Sequence, residues 1–508
     1  MLFRILHLLA VSIVLGHSTA ADVSTCVYDA CTCANTVAVC KNLSSIPPLV
    51  TDSQRFNVTH LLFYAGNITD VGDKSLPPNL TVIHFTGNPI TNISRNAFEA
   101  SSNTLNDLII RSARFTKLPD ALLDLENLQT LAIFDTHITD WNMPALQHLN
   151  KTLVTINIEA QTGWPTWISN LTSLKSIYIL NSQLNPIPDD AFSSIKDSLS
   201  TLDLINVSLH TIPKAISQLN LSSLSLANNG LSDIMGIPKS DRMDLSSNAL
   251  SDADKLVAAL LPIGARIQIL YLESNNLTVI PALENVDIER LIINKNQISD
   301  HTKGSLPPSL TDLGLAGNRL TLVPTIVTNL PNINILDLAS NLITNISTTL
   351  VHPNLEELSL GYNKISQLLS SDFPVNSSLN YLSLEANPIV NIPPDAFKNL
   401  QNLTFLNLDS VNLTSTPLFL TSLLKLQRLY LDNIPGLNCA CPRDESLVKW
   451  FSSGKFESVS GTCSNGANIQ DFYNEKDTTR CGVVPLLSSL RCIFLCFTLL
   501  RLLYMFRM

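Results

Sequence analysis

At 508 residues the chain exceeds one ordinary compact core, so it is organised as several domains or as a repeat array. Hydrophobic residues make up 45% and the formal net charge is −10. Setting aside residues 1–21 and 486–508 removes Arg4, Arg491, Arg501 and Arg507 and takes the body to about −14, which argues against nucleic acid as a partner and mildly against anionic membranes.

Residues 1–21 are expected to be a secretory signal peptide. Arg4 gives a basic start, residues 5–15 an apolar stretch, and residues 18–21 small side chains for cleavage after Ala20 or Ala21. The remainder would mature in an oxidising compartment, where cysteines pair. Residues 22–57 follow as a cysteine-rich segment, with Cys26, Cys31, Cys33 and Cys40 in the spacing Cx4CxCx6C. Spacing alone leaves three pairings open for four cysteines. The compartment and the lack of a nearby histidine argue against zinc.

Residues 58–437 are periodic. LTVIHFTGNPI begins at Leu80, LTDLGLAGNRL at Leu310, LEELSLGYNKI at Leu355 and LNYLSLEANPI at Leu379. All follow LxxLxLxxNxL, the leucine-rich-repeat pattern, in about 17 copies, most of them 21 to 25 residues apart. The LxL core alternates with period two, so each copy gives one short strand with its leucines inward and the intervening residues outward. Stacked copies predict an α/β solenoid, a horseshoe with a parallel concave β-sheet, in which each repeat buries its leucines against its neighbours. The ninth-position asparagines (Asn88, Asn229, Asn248, Asn275, Asn296, Asn318, Asn341, Asn363, Asn387) are expected to turn inward and satisfy backbone groups. Trp164 is expected in the core. One irregularity stands out: the starts at Leu221, Ser240 and Ile267 are spaced unevenly, and SDADKLVAALLP in the long copy predicts a convex helix capped by Ser251, with Pro262 after its end.

Residues 438–482 hold Cys439, Cys441, Cys463 and Cys481 in the spacing CxCx21Cx17C. Four cysteines at each end of a solenoid, with none between, suit covers over leucines that would otherwise face water. In this order the three motifs resemble extracellular leucine-rich-repeat proteins with N- and C-terminal cysteine-rich caps, a group that includes receptor ectodomains, adhesion proteins and matrix proteins. The resemblance implies disulfide-bonded caps at both ends, paired Cys26–Cys33, Cys31–Cys40, Cys439–Cys463 and Cys441–Cys481.

Residues 483–508 form a hydrophobic tail that reads as a transmembrane segment or a lipid-anchor signal. Arg491 would lie near mid-depth of a span and cost about 2.5–3.5 kcal/mol. Arg501 interrupts the apolar run that an anchor signal requires.

Candidate N-glycosylation sites are Asn42, Asn57, Asn79, Asn92, Asn150, Asn170, Asn206, Asn220, Asn276, Asn345, Asn376, Asn402 and Asn412; Asn67 is expected at a buried ladder position. On the repeat register only Asn206 is expected on a strand. That leaves a bare concave face from Leu221 to about Ile434 as the candidate ligand site. Its outward residues are Tyr271, Glu273, Asp337, Glu356, Glu357, Tyr362, Tyr381, Glu385, Phe405, Asp409, Arg428, Tyr430 and Asp432, aromatics interleaved with acids as a protein interface requires. A second candidate is the apolar group Ile109, Phe134, Tyr178 and Leu180.

No HExxH, GxSxG, GxGxxG or GxxxxGK[ST] segment occurs, so neither an enzyme nor a cofactor or catalytic metal is expected. The expected function is cell-surface recognition of a protein or peptide ligand, with membrane attachment through the tail and a co-receptor needed for any signalling. The alternatives are a secreted adhesion, matrix or inhibitor protein and, more weakly, a binder of glycans or microbial surfaces. For sugar, the tyrosines look too dispersed to form a stacking platform.

Overall fold

The computed structural model describes residues 26–50, 57–264, 266–346, 352–454 and 456–474. The expected signal peptide, the hydrophobic tail and Cys481 lie outside them. The chain divides into two compact units, Met1–Leu245 and Ser246–Met508. The boundary falls inside the irregularly spaced stretch between Ser240 and Ile267.

The first unit starts with an antiparallel pair, Cys31–Ala34 against Val37–Lys41. Cys26 is bonded to Cys33 and Cys31 to Cys40. From Val37–Lys41 onward the pairing is parallel, through His60–Tyr64, Val82–Thr86, Asp107–Arg111, Thr130–Phe134, Thr155–Glu159, Ser176–Leu180, Thr201–Ile205, Asn220–Ser225 and Lys239–Asp244. Period-two burial is plain in Val82–Thr86, where Ile83 and Phe85 are buried and the other three residues are half-buried. Phe85 lies parallel to Phe63 of the preceding strand, with ring centroids 5.4 Å apart. Trp164 is buried edge-on against Phe192.

In the second unit the strands Ile267–Tyr271, Ile288–Ile292, Asp312–Gly314, Ile335–Asp337, Glu357–Ser359, Tyr381–Ser383, Phe405–Asn407, Arg428–Leu431 and Ser458–Gly461 pair in parallel, each with the next. The helix in the long copy runs Ala253–Leu260. Its cap is Asp252 rather than Ser251: the Asp252 carboxylate accepts from the Asp254 and Lys255 amides, and a carboxylate also complements the helix N-terminus better than a hydroxyl. Pro262 lies inside a following 3-10 turn, Leu261–Ile263. At the far end Glu445–Ser453 is capped by Asp444 and buries Trp450 and Phe451, the latter stacked on Tyr473 at 5.0 Å. Cys439 is bonded to Cys463, and Cys441 is also disulfide-bonded. Ser458–Gly461 adds itself to the edge of Arg428–Leu431, covering backbone groups that an open sheet would leave unpaired.

Between strand and return the asparagine ladder holds each unit together. All nine expected asparagines are at most 9% exposed. Asn363 is representative. Its Oδ1 accepts from the Ile343 amide of the preceding repeat at 3.0 Å, while its Nδ2 donates to the Leu338 and Leu360 carbonyls at 2.9 and 3.0 Å. In the first unit other residues fill this position. Thr136 accepts from the Ala113 amide and donates to the Phe134 carbonyl; Ser182 accepts from Gln161 and donates to Leu180. A hydroxyl, which both donates and accepts, replaces the amide. Asn67 is not in the ladder: it is exposed, and Gly66 holds the position, where a Cβ would collide with Asn88 Oδ1 and lie 2.6 Å from the Leu43 carbonyl.

Candidate binding face

Parallel register sorts the outward side chains of the second unit into rows, with neighbours about 4.8 Å apart. One row runs Arg290, Asp312, Ile335, Glu357, Tyr381, Phe405, Arg428. The next runs Tyr271, Ile292, Gly314, Asp337, Ser359, Ser383, Asn407, Tyr430. Glu273, Glu385, Asp409 and Asp432 lie two residues further on. All thirteen expected ligand-face residues fall in this unit.

The register brings three of them into direct contact. Tyr381 and Phe405 are stacked with centroids 4.2 Å apart and planes 15° from parallel, and Tyr430 leans on Phe405 at 5.3 Å. All three are half-buried. Rings that look dispersed along the chain are neighbours on the sheet, because Tyr381 and Phe405 each stand two residues past a repeat start. Around them lie carboxylates. Glu385 accepts from the Asn407 side-chain amide, and Asp409 accepts from the Asp432 backbone amide at 2.7 Å. Gly361 makes room for this arrangement: a Cβ there would lie 2.8 Å from Glu385 Cγ. Glu356 precedes the strand and, like Glu357, is exposed; the Asn380 amide reaches Glu356 at 3.4 Å.

The remaining expected residues stand apart from this group. Tyr271 and Glu273 lie at the start of the rows, with Glu273 ion-paired to Lys295 at 2.8 Å. Tyr362 is 59% exposed, in the left-handed turn residue after its strand (φ 57°). Arg428 turns from Phe405 to Glu457, 2.7 Å away.

Electrostatics concentrate at the aromatic group. Burial raises the carboxyl pKa values of Asp337 and Asp409, the latter also through the charges of Asp432 and Glu385. The Tyr381 hydroxyl is raised by burial and then by Glu385, Glu357 and Asp337.

The second candidate group is not one cluster. Ile109 and Tyr178 share a row of the first unit but are separated by Ala132 and Asn157. Phe134 lies under the Arg111 guanidinium at 4.9 Å, and the strand carrying Glu159 separates it from Leu180. The same unit carries Asp203 between Tyr178 and Ser225, its pKa raised to about 7 by burial and the nearby Asp244 charge. Away from the sheet face, an open groove of about 640 Å³ lies between Asp73 and Asp120 and contains Asn92 and Arg114.

Of the fourteen sequon asparagines, Asn67 included, thirteen are exposed, and Asn150 is half-buried, its Oδ1 accepting from the Thr172 amide at 2.6 Å. Asn206 stands one residue past its strand, in a left-handed turn, whereas Asn220 opens the strand Asn220–Ser225. The assignment of Asn206 alone to a strand is corrected accordingly: the strand ends where the backbone turns left-handed. No sequon asparagine occupies either outward row of the second unit. Among the described residues no group of three or more His, Cys, Asp or Glu side chains could hold a metal ion.

The stacked parallel strands, the inward asparagine ladder and the disulfide-bonded ends define a leucine-rich-repeat solenoid with disulfides at both ends. A leucine rich repeat family model matches residues 331–389. Podocan of Mus musculus is 26% identical over 373 residues, which take in 69% of this chain and 59% of that protein. Tsukushi of Gallus gallus is 30% identical over 241 residues, 44% of this chain and 60% of its own. The chain therefore matches about three-fifths of these relatives' length. Among solved structures, the mouse RP105/MD-1 complex matches with a TM-score of 0.62 and 15% identity, covering 88% of this chain and 82% of that one; the likeness is one of fold.

Proposed function

We propose that this chain is an extracellular recognition protein that binds a protein or peptide ligand on the sheet face of its second unit. The observation that carries the proposal is the Tyr381–Phe405–Tyr430 group set among Glu357, Glu385 and Asp409 on rows free of sequons. Rigid aromatics on a preformed sheet supply contact area at little entropic cost, and the acids discriminate between partners. Membrane attachment through residues 483–508 is part of the proposal, with Arg501 and Arg507 on the cytoplasmic side. Signalling would then require a co-receptor. Nucleic acid is not a proposed partner, given the acidic face.

The test is a binding screen of the full chain against extracellular proteins, followed by substitution of Glu356, Glu357 and Asp409 by alanine. The proposal expects weaker binding of whatever the screen identifies; unchanged affinity would refute this placement. Detergent and phospholipase fractionation of expressing cells addresses the tail, and release into medium without either treatment would reject the anchored form. Arg491 within the tail favours a second reading, a fully secreted adhesion, matrix or inhibitor protein.

A further inference from the structure

The cations near the binding face are already engaged. Arg290 pairs with Asp312 at 3.1 Å, Lys295 with Glu273 at 2.8 Å and Arg428 with Glu457 at 2.7 Å. Among the described residues no Lys or Arg pairs with Asp337, Glu357, Glu385, Asp409 or Asp432. These acids surround the one aromatic stack on the rows of this unit. Arg428 is the cross-strand neighbour of Phe405, yet both its Nε and its Nη2 are held by Glu457, so its guanidinium is committed elsewhere.

The first unit shows what an equivalent site does when it has its own cation. There Arg111 and Phe134 are cross-strand neighbours, and the guanidinium lies over the ring at 4.9 Å. Phe405 has the same kind of neighbour, but its ring meets Tyr381 and Tyr430 in place of a guanidinium, and the face of the stack turned away from Phe405 is that of Tyr381, beside the strand of Glu357.

We propose that the face of Tyr381 turned away from Phe405, backed by that ring and flanked by Glu357 and Glu385, is a recognition site for an arginine side chain of a protein partner. A planar guanidinium stacks on an aromatic face while donating edge-on to carboxylates, and it loses less hydration on doing so than an ammonium. A metal ion is the poorer occupant, because the described carboxylates do not converge. Burial raises the Asp409 carboxyl and the Tyr381 hydroxyl first, and neighbouring carboxylates raise both further; that negative field is what an incoming cation would relieve. The inference rests on the reading of this face as protein-binding and specifies its partner chemistry.

The experiment titrates the full chain with three labelled nonapeptides of alternating glycine and arginine, lysine or citrulline, read by fluorescence anisotropy at physiological salt. The arginine peptide should bind about tenfold tighter than the lysine peptide, and the citrulline peptide should not bind. Phe405→Leu, which keeps apolar volume without a ring, and Glu385→Gln should each weaken arginine-peptide binding about tenfold. Asp189→Asn, in the first unit, should leave it unchanged. Equal affinity for arginine and lysine, or indifference to Phe405→Leu with the fold intact by circular dichroism, would overturn the assignment. A protein ligand that cross-links to the face yet ignores Phe405→Leu would overturn the arginine assignment and leave the face reading standing. Cross-linking only outside the face would remove both.

Discussion

Replacing Asn363 with alanine should cost far more than a surface change. The substitution leaves the buried Ile343 amide without its acceptor and removes one donor each from the Leu338 and Leu360 carbonyls. The carbonyls keep a second lone pair, but the amide has no alternative. An unsatisfied buried group costs about 1–3 kcal/mol, so the amide together with the weakened carbonyls should total about 3 kcal/mol. The assay is hydrogen exchange at the Ile343 amide, which reports local opening without requiring two-state unfolding of a two-unit chain. With tenfold per 1.4 kcal/mol, protection should fall roughly a hundredfold. Asn363→Thr should recover part of the loss, since Thr136 performs this task in the first unit. Asn354→Ala, which removes only an exposed bond to Pro331, should change protection less than threefold. Loss of protection no greater than that of Asn354→Ala would refute the ladder's energetic role.

Three further outcomes follow from the same structure. Gly304 has φ 99°, and a Cβ there would lie 2.8 Å from Ile280 Cβ; Gly304→Ala should therefore lower stability by at least about 2 kcal/mol in denaturant titration. A double-mutant cycle on Tyr381 and Phe405 should give about 1 kcal/mol of coupling, against zero if the rings merely sit side by side. Asp203 titrates near 7 in the folded chain against about 4 unfolded, so protonation favours the fold. That stabilisation is complete below about pH 4 and is lost as pH rises through 7. The first unit should thus melt higher at pH 5 than at pH 8, and Asp203→Asn should flatten the difference.

Most of the fold is legible because the repeat states it directly. A leucine two residues from the next, with an asparagine three further on, specifies a strand, its buried face and the group that satisfies the turn. Fold legibility weakens wherever different chemistry performs the same task. Thr136 and Ser182 fill ladder positions without being asparagine, and Gly66 does so by leaving space. The helix cap at Asp252 rather than Ser251 is a choice between adjacent residues that either side chain could satisfy. The candidate face is legible as a set of outward residues but not as a cluster. Contact between Tyr381, Phe405 and Tyr430 depends on register across strands about 24 residues apart, visible only when the copies are aligned by their first leucine. The same alignment separates Ile109 from Tyr178, which composition alone groups together.

The central claim is that the second unit's sheet face contacts a protein ligand. Photo-cross-linking groups placed one at a time at Glu357 and Asp409, and on the opposite side at Lys398, test it directly in the full chain exposed to extracellular proteins. The account predicts that the same protein is captured from Glu357 and Asp409 and not from Lys398. Capture from Lys398 with none from Glu357 or Asp409 would contradict it.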